Sequence, residues 1–99
     1  MATVTQVIRV QPAPGKLGQC LEIAGQLRKL RERAGAKERL YRTGTGTLVI
    51  VVETAGWKQF GEMAAKLEND AEAQKVFSRL DTDPVGTILS VEIVEEIER

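Results

Sequence analysis

The sequence predicts an α+β fold, an antiparallel four-stranded sheet with helices packed on one face. Three observations predict it. Stretches rich in β-branched residues alternate with stretches of helical periodicity in the order β-α-β-β-α-(α)-β. The two middle strands are joined directly through Arg42-Thr43-Gly44-Thr45-Gly46, where the two glycines supply the positive φ of a tight hairpin. The third strand, Thr47-Leu48-Val49-Ile50-Val51-Val52-Glu53, is apolar on both parities, the pattern of a strand covered on both faces.

The first strand runs from Thr3 to Gln11, with Val4, Ile8 and Val10 on one parity, and Pro12-Ala13-Pro14-Gly15 ends its ladder because proline has no amide donor. A helix follows from Lys16 to Ala34. Leu17, Cys20, Leu21, Ala24, Leu27 and Arg31 recur in steps of three and four, and Ile23, Leu30 and Ala34 widen that stripe. Gln19, Glu22, Gln26, Lys29 and Arg33 face outward, and Gly25, beside the stripe, offers room for close packing. Gly35 stands where a left-handed C-terminal cap is expected. Strands over Ala36–Thr43 and Thr45–Thr54 form the hairpin. The second helix, Trp57 to Asn69, presents Trp57, Phe60, Ala64 and Leu67, with Met63 alongside. A shorter helix, Asp70 to Leu80, turns Ala73, Val76, Phe77 and Leu80 inward, and Asp70 is placed to start it. The last strand spans Gly86 to Glu96, with Leu89, Val91 and Ile93 on one parity and Ile88, Ser90, Glu92 and Val94 on the other.

A chain of 99 residues makes one domain, here taken as 1–99. Fourteen cations balance fourteen anions, so a general nucleic-acid or polybasic membrane binder is not expected. The single cysteine rules out an internal disulfide, and the start of the chain shows no secretory pattern, so a cytoplasmic location is expected. The longest apolar run, Leu48 to Val52, is far shorter than the roughly 20 residues of a membrane helix.

The element order is the split βαβ, or ferredoxin-like, sandwich. Helices on one face leave the other side of the third strand bare, so a second copy is expected to cover it. The segment Val7-Ile8-Arg9-Val10-Gln11-Pro12 followed by Gly15-Lys16-Leu17, the hairpin from Leu40 to Glu53, Glu53-Thr54-Ala55-Gly56-Trp57, and the stretch from Asn69-Asp70 to Phe77 together resemble the dimeric α/β barrel superfamily. This superfamily includes small proteins similar to antibiotic-biosynthesis monooxygenases and NIPSNAP-like domains. The resemblance covers nearly the whole chain. It implies a homodimer and, as one option, a cofactor-independent monooxygenase or isomerase acting on a small aromatic or polyketide-like compound. Oxygenase-like members use tryptophan, tyrosine, asparagine and arginine in a pocket between helices and sheet. Where they carry the asparagine, this chain has Val51, Val52 and Glu53.

No histidine occurs, which removes the commonest general base and metal ligand. Gly44-Thr45-Gly46 lies between strands, as a hairpin and not a phosphate loop. Cys20 sits on the apolar stripe as a buried small hydrophobe. Trp57 and Tyr41 have polar handles and are ligand-binding candidates, with core or helix-start packing as the plainer reading of Trp57 and strand pairing or dimer contact as that of Tyr41. Arg9 and Arg39 are candidates for holding an anionic ligand between two sheets, and Arg42 is a further strand cation. Leu48, Ile50, Val49 and Val51 are the core or dimer-interface strand residues. Glu92, Glu95, Glu96 and Glu98 read as a solvated end and not a metal site. No metal and no cofactor are expected. The resulting expectation is a homodimeric module with a small-molecule ligand and neither nucleic acid nor membrane as partner. A single-stranded RNA surface would need exposed aromatics on the central strands, and a metal chaperone would need paired cysteines.

Overall fold

The computed structural model describes residues 2–97. Its elements are β1 (Val4–Pro12), α1 (Leu17–Arg33), β2 (Lys37–Arg42), β3 (Leu48–Thr54), α2 (Trp57–Asn69), α3 (Ala71–Thr82) and β4 (Gly86–Glu95). The strands lie in the order β2-β3-β1-β4, and every neighbouring pair is antiparallel. This is the ferredoxin-like arrangement expected from the element order. The apolar β1 and β3 occupy the centre, and the more charged β2 takes one edge.

Alternation assigns the faces. Val4, Ile8 and Val10 of β1, with Leu48, Ile50 and Val52 of β3, turn toward the helices and form the floor of the core. From α1 come Cys20, Ile23, Leu27 and Leu30, and from α3 comes Ala73. Met63 of α2 closes the second half of the core over Ile50 and Val52. Among the described residues, no helix lies on the opposite face of the sheet. There Val49 lies between Arg9 and Tyr41, and Val51 between Val7 and Arg39.

Local chemistry fixes the joints. At the end of α1 the Gly35 amide donates to the Glu32 carbonyl at 3.0 Å and the Ala36 amide to the Arg31 carbonyl at 3.1 Å, with Gly35 at φ 95°. This Schellman closure is the one the sequence places at Gly35. Asp70 caps α3 by accepting from the Ala73 amide at 3.0 Å. The hairpin closes through Thr43 N–H to Thr47 carbonyl at 2.8 Å and Gly46 N–H to Thr43 carbonyl at 3.0 Å.

Five details depart from the sequence expectation. Only Gly46 of the hairpin glycines is left-handed, because the turn closes on a single positive φ. The strands stop short of the turn, at Arg42 and Leu48, so Thr45 and Thr47 belong to the connection. Leu21 is exposed, since α1 buries the side centred on Ile23 and Leu27. An added Cβ at Gly25 would meet nothing within 4 Å, so no close packing depends on it. The register of β1 against β4 shifts between Arg9 and Val10, which pair with Ser90 and Ile88. Leu89 is the extra residue of this bulge. Ile88 therefore joins Val91 and Ile93 on the helix-facing side, whereas plain alternation puts them on opposite sides.

Candidate functional site

The helices do not reach along β4, so Ile88, Val91 and Ile93 stay exposed on the side that the central strands β1 and β3 bury. Under this overhang the space between sheet and helices remains unfilled. The cavity holds about 250 Å³. Its floor is Ile8, Val10, Leu48, Ile50 and Ile88, and its wall on α1 is Cys20, Ile23, Ala24, Leu27 and Arg31. Phe77 and Leu80 of α3 and the segment Pro84-Val85-Gly86 complete it. At about 30 Å³ per liquid water, the space equals roughly eight waters. That is below the range of drug-sized pockets, about 300–1,000 Å³, and suits a molecule built on one ring.

Arg31 is the one charged side chain lining this cavity among the described residues. It stands on the last turn of α1, in the same stripe as Cys20, Ala24 and Leu27, and only 7% of its surface is exposed. One guanidinium nitrogen, Nη1, donates to Glu38 Oε1 at 3.0 Å. Glu38 is the single buried residue of β2, and the Schellman turn between α1 and β2 brings it behind Arg31. Burial pushes the Glu38 carboxyl above its ordinary range, and the Arg31 charge and hydrogen bond pull against that rise without cancelling it. The Arg31 Nε–H is buried and has no acceptor among the described residues. Cys20 is also buried, with its side chain in the cavity wall, and burial raises its thiol, so it reacts slowly at neutral pH.

The residues singled out from sequence lie elsewhere. Trp57 is half exposed at the start of α2, where its indole N–H donates to Glu95 at 2.8 Å and its ring meets Phe60 edge-on at 6.1 Å. Tyr41, Arg9 and Arg39 are exposed on the bare sheet face, which also carries the half-buried Val49 and Val51. Leu48 and Ile50 belong both to the core and to the cavity floor. No group of three or more His, Cys, Asp or Glu is arranged to hold a metal among the described residues. Glu98 lies outside those residues. Sequence reasoning placed Arg31 on the buried stripe but passed over it as a site. The signal was a charged residue in phase with an apolar helix face.

A second, more open groove of about 430 Å³ runs between α1 and α3 and is lined by Lys29, Arg33, Lys75 and Arg79 with Glu72. Its cations are partly matched, Arg33 by Glu72 at 3.0 Å and Arg79 by Glu22 at 3.8 Å, and all four side chains of these pairs are exposed. Such pairs are those of an ordinary solvated helix surface.

Fold and cavity together define a small ferredoxin-like α+β domain with an apolar chamber between sheet and helices. Solved structures share this architecture over the full chain. The Rv0793 protein of Mycobacterium tuberculosis superposes with a TM-score of 0.71 at 13% identity, covering 98% of this chain and 97% of its own. A NIPSNAP domain protein of Burkholderia xenovorans gives 0.68 at 15% identity, with 100% and 95% covered. An antibiotic-biosynthesis-monooxygenase-like protein of Chloroflexus aurantiacus gives 0.71 at 7% identity, with 98% and 95% covered. The chain thus has the fold of the superfamily that its sequence resembles. No family model and no curated protein matches it in sequence. No helix among the described residues is long and apolar enough to cross a membrane.

Proposed function

We propose that this protein is a homodimeric binding module that takes a small apolar molecule into the chamber between its sheet and helices α1 and α3. The observation that carries the reading is an apolar cavity of about 250 Å³ between the sheet and helices α1 and α3, lined by a single charged side chain among the described residues. Pairing is supported by the uncovered sheet face and by β4, an edge strand whose Ile88, Leu89, Val91, Ile93 and Val94 are all exposed. A second copy of this sheet would cover the bare face with Val49, Val51 and Val94, within the roughly 2,000 Å² or more that obligate dimers bury.

Cys20 gives a direct test of the cavity, because it is the only cysteine in the chain and lies in the wall. Ethylbenzene near saturation is expected to raise the melting temperature and to slow modification of Cys20 by a thiol reagent, since a ligand bound only to the folded state stabilises it. Ala24→Leu fills the chamber and is expected to abolish both effects while leaving the fold intact by circular dichroism. Unchanged melting and unchanged thiol reactivity in the native chain refute the reading. Pairing is tested by light scattering on a sizing column, where a single protomer mass at high concentration refutes it. Oxygen uptake with a phenol or quinol would replace the binding role with the oxygenase activity named for the Chloroflexus aurantiacus relative.

A further inference from the structure

We infer that the chamber selects an uncharged ring-sized molecule carrying one hydrogen-bond-accepting oxygen, a ketone in the simplest case, and that Arg31 is the residue that reads it. This rests on the reading that the chamber binds a ligand and adds the chemistry of that ligand.

Every wall of the chamber is apolar except at Arg31. A buried N–H with no acceptor is costly, and more so on a charged group. The Arg31 Nε–H is such a group. A pure hydrocarbon fills the volume and leaves that donor unmatched. A ligand oxygen placed against this donor would supply the missing acceptor, with Nη1 held by Glu38.

The charge count excludes an anion as the preferred guest. Arg31 and Glu38 already cancel at 3.0 Å, with side chains 8% and 2% exposed. A carboxylate would bring a second anion to a single cation in a medium of low dielectric. The position on α1 works in the same direction, because Arg31 stands at the carbonyl end of the helix, where the backbone dipole is negative. A neutral acceptor meets the donor without disturbing the pair.

Three probes of similar size separate these cases: ethylbenzene, acetophenone and benzoate, titrated calorimetrically into the intact protein. Acetophenone is expected to bind at least about tenfold more tightly than ethylbenzene, the value of a hydrogen bond to a charged group. Benzoate is expected to bind more weakly than acetophenone. The double variant Arg31→Met/Glu38→Met removes both charges together and leaves no lone buried carboxylate. It is expected to bind ethylbenzene as the native chain does and to lose the preference for the ketone. If ethylbenzene and acetophenone bind equally to the native protein, or if benzoate binds best, the assignment to Arg31 is overturned while the chamber reading stands. Retention of the ketone preference in the double variant also overturns it. If none of the three binds, the chamber reading itself fails.

Discussion

Replacing Arg31 by methionine strands Glu38, and the size of the effect follows from the geometry. At 3.0 Å and an effective dielectric of about 20, the pair attracts by about 5–6 kcal/mol. Part of this is offset by the cost of holding both groups away from water, and breaking such a pair by removing one partner typically costs about 3–5 kcal/mol. A domain of this size is stable by about 5–15 kcal/mol in all, so Arg31→Met is expected to be severely destabilised at pH 8. The loss must shrink in acid. The folded-state pKa of Glu38 already lies above its ordinary value of 4.5 and rises further without Arg31, so the folded state holds the proton more tightly than the unfolded one. Stability from this group is therefore fully present below about 4.5 and is lost as pH rises through the folded-state pKa. Urea unfolding followed by circular dichroism at pH 8 and pH 5, at fixed protein concentration, reads the effect. The expected pattern is a large loss at pH 8, a smaller one at pH 5, and recovery of most of it in Arg31→Met/Glu38→Met. A loss below about 1 kcal/mol at pH 8, or one equal at both pH values, refutes the account of this pair.

Gly35→Ala is expected to cost at least about 1–2 kcal/mol, because φ is 95° and the added Cβ would sit 2.6 Å from Gln59 Nε2; a melting temperature equal to that of the native chain would contradict this. Asp70→Ala removes the acceptor of the Ala73 amide and is expected to cost about 1 kcal/mol, with Asp70→Asn recovering most of it in the same melts. Leu48→Ala, at a side chain 1% exposed, is expected to cost about 2–5 kcal/mol in urea titrations. Val51→Lys puts a second cation beside Arg39 on the bare sheet face and is expected to shift a dimer toward single protomers without lowering helix content.

The fold was legible because its signals are local. Helical phase located α1, α2 and α3, the proline and glycine breaks bounded β1 and the hairpin, and Asp70 marked the joint between two helices. The site was less legible because it depends on register and on neighbours distant in sequence. Helical phase placed Arg31 on the buried face, but its partner is on another element and is aligned only by the turn at Gly35. Trp57 is a strong apolar signal, yet it opens α2 at the margin of the packed face and so remains half exposed. Tyr41, Arg9 and Arg39 were correctly read as strand residues. Their side of the sheet is the one the helices leave bare, so they cannot line a chamber on the other side.

The extra residue at Leu89 gives β4 two rhythms along one strand. Up to position 88 the even-numbered side chains look toward the helices, and from position 91 the odd-numbered ones do. A polar scan along β4 should therefore show its sensitive positions change step in the middle of the strand. Deleting Leu89 would restore one beat throughout and leave Ile88 opposite Val10 on the chamber floor, so the floor depends on the pairing with β1 and not on the extra residue itself.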